Sequence, residues 1–177
     1  YVQGLLILLE WQHKIMKEYN FKKFEDNWRD KWYEDNIYAA EESTEKPKKY
    51  ILAEWPYPSG KMIHVGHAMR YTVPEVYSRY LRMKGYNVLF PMGWDAFGLP
   101  TEGYALKQNK TPQKVTDQLT NDYKNAMNLM GYGIDWSRET NSTDPKYYKW
   151  TQWLFLKFYE HGLAELKEMP VWWCPEL

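Results

Sequence analysis

Two histidines three residues apart, His64 and His67, are the side chains in this sequence best suited to bind phosphate. Residues at this spacing share one face of a helix. The N-terminus of a helix presents free backbone N–H groups and a partial positive charge, and both favour anions. The pair therefore predicts a cradle for nucleotide phosphates, in which the imidazoles donate hydrogen bonds to a transferring phosphate. Gly66 has no side chain, so a flat base can lie against the backbone there.

The same pattern also has a purely structural interpretation, in which both histidines lie on the surface or cap the helix. Metal binding would need a third ligand, and no His, Cys or carboxylate lies near the pair at suitable spacing. The residues alone leave the phosphate-binding and the capping interpretations open.

A second candidate group lies in the segment Pro91–Glu102, whose sequence is PMGWDAFGLPTE. Asp95 stands there among apolar residues, where burying a carboxylate without a cationic partner would be costly. The α-ammonium group of an amino acid is one candidate partner. A helix N-cap or an ordinary loop carboxylate is the alternative.

Aromatic residues precede the histidines in the segment WPYPSG, which runs from Trp55 to Gly60. Trp55 and Tyr57 can line a hydrophobic side-chain pocket, or they can pack the loop against the protein. Pro56 and Pro58 hold the chain extended, because a residue before proline is disfavoured in the helical region.

A strand–helix–strand unit is predicted to position these residues. The helical part should break at Pro74, because proline disrupts a helix interior. Such a βαβ unit has parallel strands, and in open parallel sheets ligands bind outside the carboxyl ends of the strands. The loops 56–63 and 92–100 both leave such ends, so we expect them to share one crevice. The predicted elements are strands over 50–55 and 86–91 and helices over 65–72 and 74–84.

Helical periodicity recurs outside this unit, and the predicted fold class is α/β. An amphipathic N-terminal helix is predicted over 20–36, followed by a charged linker over 41–49. Its aromatic stripe should pack against a core and consists of Phe21, Phe24, Trp28 and Trp32. Further predicted elements are helices over 112–130 and 145–161, ended by Gly131 and Gly162, and a third strand over 163–169.

Bulk composition limits the classes of function. The 177 residues are 44% hydrophobic, enough for a core, and 23 basic residues balance 23 acidic ones, which does not favour a freestanding nucleic-acid binder. The single cysteine, Cys174, fits a reducing, cytoplasmic setting and leaves zinc binding undetermined. The longest apolar run, 5–9, is too short to span a bilayer, so no membrane partner is expected.

Taken together, the motifs resemble those of the class I aminoacyl-tRNA synthetases, and within them the leucine-specific branch. HVGH at 64–67 is similar to the HIGH motif of the family, with PYPSG before it and GWDAFGLP after it. Similar stretches continue with DWSRE at 135–139, PKYYKW at 145–150 and WCP at 173–175. HVGH alone is a weak signal, whereas the combination is specific.

The resemblance implies a Rossmann-like catalytic domain that joins leucine to ATP, forming leucyl-adenylate and pyrophosphate, and passes the leucyl group to tRNA(Leu). Mg²⁺ is expected with the ATP. The histidines His64 and His67 match the catalytic pair that contacts the ATP phosphates. Gly66 matches the glycine under the adenine.

For the amino acid, the resemblance points to the two loops. Asp95 matches the aspartate that binds the leucine α-ammonium group. Trp55, Pro56 and Tyr57 match the loop that lines the leucine pocket. One departure is the three-residue spacer 61–63 between PYPSG and HVGH, which is one residue longer than in many leucine enzymes.

The resemblance also predicts how the chain is organised. The lysine-rich KMSKS motif of the family does not occur in these 177 residues, so the chain is expected to be a fragment that is inactive or very weak on its own. Another HxGH nucleotidyltransferase and a catalytically inert fragment are the alternatives. The expected parts are a non-native or upstream leader (1–15), an N-terminal helix and linker (16–49), the N-terminal half of the nucleotide-binding catalytic domain (50–170), and the start of a connection towards a missing editing insertion (171–177).

Overall fold

A computed structural model describes residues 20–59 and 62–175 of the chain. The leader predicted for 1–15 lies outside the described residues, and so does Gly60 at the end of the segment WPYPSG. The helices in the described part are α1 (Phe21–Glu34), α2 (Val65–Met83), α3 (Leu99–Lys107), α4 (Pro112–Leu129) and α5 (Pro145–Glu160). The strands there are β1 (Lys48–Tyr50), β2 (Asn87–Leu89), β3 (Gly93–Trp94) and β4 (Thr140–Asn141), and a 3-10 turn spans Trp136–Arg138.

Strands β1 and β2 pair in parallel and are joined through α2, which confirms the predicted βαβ unit. The first strand lies earlier than the predicted 50–55, with Lys48 opposite Asn87 and Tyr50 opposite Leu89. Its two lysines fall within the charged linker predicted over 41–49. In the structure they lie on an exposed edge strand, where charged residues are well tolerated. The N–H of Ile51 still donates to the Leu89 carbonyl at 2.9 Å, so the hydrogen-bonding pattern runs one residue past β1.

A second parallel pair, β3 with β4, was not predicted. Gly93 lies opposite Thr140 and Trp94 opposite Asn141. Strands of two residues carry no periodic signal, because alternation needs at least four residues to show. The pair matters for function because it fixes the chain immediately before Asp95.

Helix α2 runs without interruption through Pro74, so the predicted break into 65–72 and 74–84 is wrong. The proline removes one backbone donor, but buried side chains on both sides, Tyr71 and Glu75, hold the helix to the core. The predicted end of the helix at residue 84 is confirmed to within one residue, since α2 ends at Met83 and Lys84 is its C-cap. Gly85 has a φ of +85°, and the N–H of Tyr86 donates back to the Leu81 carbonyl at 3.1 Å.

The core lies between α2, α4 and the two parallel pairs. Its buried members are Ala53, Tyr71, Leu81, Val88, Phe90, Met92, Trp94, Tyr123, Met127, Tyr132 and Ile134. A smaller cluster of Ala105, Val115 and Leu119 joins α3 to α4. Helix α3 itself was missed, because the sequence GLPTEG reads as a loop. In the structure Gly98 is its N-cap and Pro100 stands at its start, where proline is tolerated.

The N-terminal helix is confirmed, but its aromatic stripe packs only at one end. Phe21, Phe24 and Trp28 remain about half exposed, at 54%, 52% and 48%. Trp32 is partly buried and meets Tyr38 edge-on, with ring centroids 6.5 Å apart. The expectation that the whole stripe packs on a core is therefore wrong.

The C-terminal part of the described chain differs from expectation in one element. Helices α4 and α5 have nearly the predicted bounds, and Gly131 and Gly162 end them with positive φ. The third strand predicted over 163–169 is absent, since those residues are described as irregular and find no strand to pair with. None of the helices in the ranges 20–59 and 62–175 is long and apolar enough to cross a membrane.

A buried ion pair ties α2 to the turn that follows α4. Glu75 accepts from Arg79 Nε at 3.0 Å and Nη2 at 2.6 Å, and from the N–H of Gly133 at 3.3 Å. Arg79 also donates to the Gly131 carbonyl at 2.9 Å and lies 5.1 Å from the Trp32 ring. One carboxylate thus organises α1, α2 and the 131–133 turn.

Replacing Glu75 by glutamine should lower the free energy of unfolding by about 1–3 kcal/mol, because the half-buried guanidinium of Arg79 loses its counter-charge. Urea denaturation of the chain measures the change. The control is Glu41→Gln, which breaks an exposed ion pair with Lys46 and should leave the urea midpoint unchanged. Equal midpoints for the two variants would contradict the structural role of Glu75.

Candidate functional site

The two histidines form a reciprocal cap at the start of α2. His64 is the N-cap, and its Nδ1 accepts from the N–H of Gly66 at 3.1 Å. His67 completes the box, since its Nδ1 accepts from the N–H of His64 at 3.3 Å. The two rings stack with centroids 4.0 Å apart. The capping interpretation is confirmed, and so is the prediction that both rings lie on one face.

The cap leaves both imidazoles available as donors. A neutral imidazole that accepts through Nδ1 carries its proton on Nε2. Each ring therefore keeps one N–H that the cap does not use. Burial lowers the pKa of His67, and the charges of His64 and Arg70 lower it further against an opposing effect of Glu54. At neutral pH His67 is accordingly an uncharged hydrogen-bond donor at a helix N-terminus.

Gly66 is exposed between the two histidines, and the space beside it is occupied by the His64 ring. A Cβ at Gly66 would lie 3.0 Å from Cε1 and 3.1 Å from Nδ1 of His64. Such distances are tighter than ordinary van der Waals contact. A side chain at this position would therefore push His64 away from the nitrogen that it caps.

Asp95 sits on a backbone that is hydrogen-bonded on both sides. Its own N–H donates to the Pro56 carbonyl at 3.2 Å, and the N–H of Ala96 donates to Ser142 Oγ at 2.9 Å. The residue is exposed, and within residues 20–59 and 62–175 its carboxylate has neither a hydrogen bond nor an ion pair. It is not a helix N-cap, because Gly98 has that position in α3. The backbone at Asp95 is therefore held in place, and its exposed carboxylate is open to a cationic ligand.

Trp55 and Tyr57 pack the first loop onto the second. The Trp55 ring covers Gly93 so closely that a Cβ there would lie 2.2 Å from it, and Tyr147 approaches from α5 with ring centroids 5.7 Å apart. The Tyr57 hydroxyl accepts from Thr101 Oγ1 at 3.0 Å. Pro56 between them is buried. The packing interpretation of these side chains is thus confirmed, and it joins 55–57 to the loop that carries Asp95.

An open cavity lies beside the Asp95 loop. Its volume is about 310 Å³, and part of its wall is formed by Ala96, Phe97, Thr101 and Tyr148. The rings of Phe97 and Tyr148 lie 5.9 Å apart at its edge. Asp95 precedes this wall in the chain but does not line the cavity, whose wall also includes the polar side chains of Glu102 and Gln113.

A continuous row of rings connects the histidines with the Asp95 loop. His67 meets Tyr123 edge-on at 5.7 Å, and Tyr123 meets Trp94 edge-on at 6.3 Å. Trp94 directly precedes Asp95 in the chain. The rings thus link the start of α2 with the residue before Asp95, and the bond from the Asp95 N–H to the Pro56 carbonyl joins the first loop to the second.

Sequence reasoning missed Tyr123, which contacts His67. It lies on the buried face of α4, where helical periodicity marks it only as a core residue. Buried Asp135 has a structural role away from the candidate residues, since it accepts from the N–H of Ala40 at 2.9 Å and from Ser137 Oγ at 2.5 Å.

Metal ligands do not cluster in the part of the chain that is described. No group of three or more His, Cys, Asp or Glu side chains there could hold a metal ion. Cys174, the candidate zinc ligand, is exposed.

Comparison with known proteins agrees with this geometry. The family model of tRNA synthetases class I (I, L, M and V) matches residues 27–177. A protein from Alkaliphilus oremlandii (strain OhILAs) named leucine–tRNA ligase is 53% identical over 159 residues, which are 90% of this chain and 20% of that protein. The chain thus spans about a fifth of this relative's length.

A solved structure is similar as well. It is the ternary complex of Agrobacterium radiobacter K84 agnB2 LeuRS with tRNA and LeuAMS, with a TM-score of 0.76 and 36% identity. The match covers 82% of this chain and 19% of that one. By sequence and by fold, the chain belongs to the class I tRNA synthetases of the I, L, M and V group.

Proposed function

We propose that this chain is the N-terminal part of a leucine–tRNA ligase, which activates leucine with ATP and transfers the leucyl group to tRNA(Leu). The name of the 53% identical relative and the LeuRS complex support the leucine assignment. The observation that carries the proposal is the row of rings from His67 through Tyr123 to Trp94, which links the start of α2 to the residue before Asp95.

In this proposal His64 and His67 bind the ATP phosphates. Each donates from Nε2, and the α2 N-terminus adds backbone N–H groups and its partial positive charge. In activation, the leucine carboxylate attacks the α-phosphate and pyrophosphate leaves. Donors placed where charge grows on the phosphates stabilise the transition state, and a good donor of this kind contributes about 3 kcal/mol. Gly66 leaves the backbone open to the adenine.

The amino acid is bound by the second loop, 92–100, which carries Asp95. Asp95 binds the leucine α-ammonium group, which supplies the cation that this exposed carboxylate lacks. Trp55, Pro56 and Tyr57 shape the leucine pocket indirectly, because their packing fixes the position of the loop that carries Asp95. Holding the leucine carboxylate in line with the α-phosphate accounts for much of the acceleration, because it removes the entropy of bringing two reactants together.

Mg²⁺ enters with ATP as part of the substrate. The described residues offer no acidic cluster of their own for it, and Mg²⁺ commonly binds through substrate phosphates with few protein ligands. We assign the protein to the cytoplasm, where a single cysteine stays reduced. Residues 50–170 form the first half of the catalytic domain in this proposal, and 171–177 begin the connection towards an editing insertion.

ATP–pyrophosphate exchange by the complete enzyme that contains this chain tests the substrate. Leucine should drive exchange with a kcat/KM about 10- to 200-fold higher than valine, because a pocket distinguishes one methylene by that amount. Exchange driven equally well by isoleucine or valine contradicts the leucine assignment. Exchange without charging of tRNA would favour another HxGH nucleotidyltransferase, and no exchange with any amino acid would favour an inert fragment.

Asp95→Asn should raise the KM for leucine about 10- to 100-fold and leave the KM for ATP nearly unchanged, since a charge-assisted contact to the ammonium group is lost. Steady-state exchange kinetics with each substrate varied in turn measure both constants. Asp30→Asn removes another exposed carboxylate, on α1, and serves as the control. A rise confined to the KM for ATP would show that Asp95 has been assigned to the wrong substrate.

Gly66→Ala should lower kcat for exchange about 10-fold, because the added methyl group displaces the His64 ring by a few tenths of an ångström or more. Gly103→Ala on α3 is a matched control, since a Cβ there meets nothing within 4 Å. It should retain full activity. Equal kcat values for the two variants would mean that the His64 position does not matter for activation.

A further inference from the structure

Tyr123 occupies the central position in the row of rings. It is 2% exposed, and its edge-on contacts join His67 at 5.7 Å to Trp94 at 6.3 Å. The interplanar angles are 68° and 86°, which is the favourable T-shaped arrangement of aromatic pairs. Its helix, α4, belongs to neither candidate loop.

Hydrogen bonding alone does not fix the His67 ring. The bond from the N–H of His64 to His67 Nδ1 measures 3.3 Å, which is long for a nitrogen donor. Ring packing supplies the rest of the restraint. Tyr71 lies parallel to His67 with centroids 6.0 Å apart, and Tyr123 closes a second side.

Trp94 is itself held firmly. It is 1% exposed, stacks on Trp136 at 6.3 Å, and its Nε1 donates to Glu139 Oε1 at 2.8 Å. The backbone N–H of the next residue, Asp95, is bonded to the Pro56 carbonyl. A ring wedged between Trp94 and His67 therefore couples the position of the His67 ring to the backbone that carries Asp95.

We propose that Tyr123 is a positioning residue, which holds the His67 imidazole in its donating orientation and sets its distance from the Asp95 loop. The inference rests on the proposed function and adds to it a residue that acts through His67. The aromatic ring is the required feature, since the contacts to both neighbours are made by ring faces and edges.

The test uses Tyr123→Phe and Tyr123→Leu in the complete enzyme. Tyr123→Leu should lower kcat for leucine-dependent exchange about 10-fold or more, while the KM for leucine stays within about twofold, because a misplaced donor affects the transition state more than the bound substrate. Tyr123→Phe should restore kcat to within about twofold of wild type. Phe90→Leu is the control, because Phe90 is a fully buried ring of the same core without a ring contact to His67 in the described part of the chain.

A double-mutant cycle separates positioning from general destabilisation. In a His67→Ala background Tyr123→Leu should reduce kcat by no more than about twofold further, since its effect passes through His67. Additive losses, a Tyr123→Phe variant as impaired as Tyr123→Leu, or equal losses in Phe90→Leu would each overturn the inference. Crystal structures of wild type and Tyr123→Leu provide a test that does not depend on activity. The His67 ring should change its orientation in Tyr123→Leu, and an unchanged His67 ring would overturn the inference. Wild type that exchanges no amino acid would instead overturn the proposed function.

Discussion

Backbone hydrogen bonds between two parallel stretches, 47–56 and 87–95, decide where every candidate residue lies. They begin with the N–H of Asn87 on the Pro47 carbonyl, continue through Ile51 and Leu89, and end with the N–H of Asp95 on the Pro56 carbonyl. Because the stretches run in the same direction, the chain leaves both at the same end. The histidine helix follows one stretch and the Asp95 carboxylate lies at the end of the other.

The histidine pair uses one nitrogen of each ring for a structural role. Capping uses Nδ1 of each ring and leaves Nε2 with its proton. The cap therefore fixes the orientation of both rings and leaves Nε2 as the nitrogen that can donate to a ligand. Burial, with smaller contributions from His64 and Arg70, lowers the pKa of His67 and so favours its neutral form. The observed cap is thus compatible with the phosphate-binding role that we propose for the pair.

Much of the fold could be predicted because its signals are local. The ends of α4 and α5 follow from Gly131 and Gly162, and the parallel βαβ unit follows from two apolar runs around one helix. Errors arose where distant packing overrides a local preference. Pro74 stays inside α2 because core contacts hold the helix on both sides. Residues 163–169 form no strand because they pair with none in the described part of the chain, and the presence of a partner strand is not a local property of the sequence.

The candidate site likewise contains residues that local sequence signals indicate and a residue that they do not. His64, Gly66 and His67 were readable because a cap and its helix are adjacent in sequence, and Asp95 was readable from its unusual apolar flanks. Tyr123 was not, since it lies 56 positions after His67 and its own helix shows only a periodic buried face. The neighbours of a core residue are fixed only by the folded chain, so the sequence does not show that Tyr123 packs against His67. Sequence motifs therefore identify candidate binding groups more readily than the buried residues that pack against them.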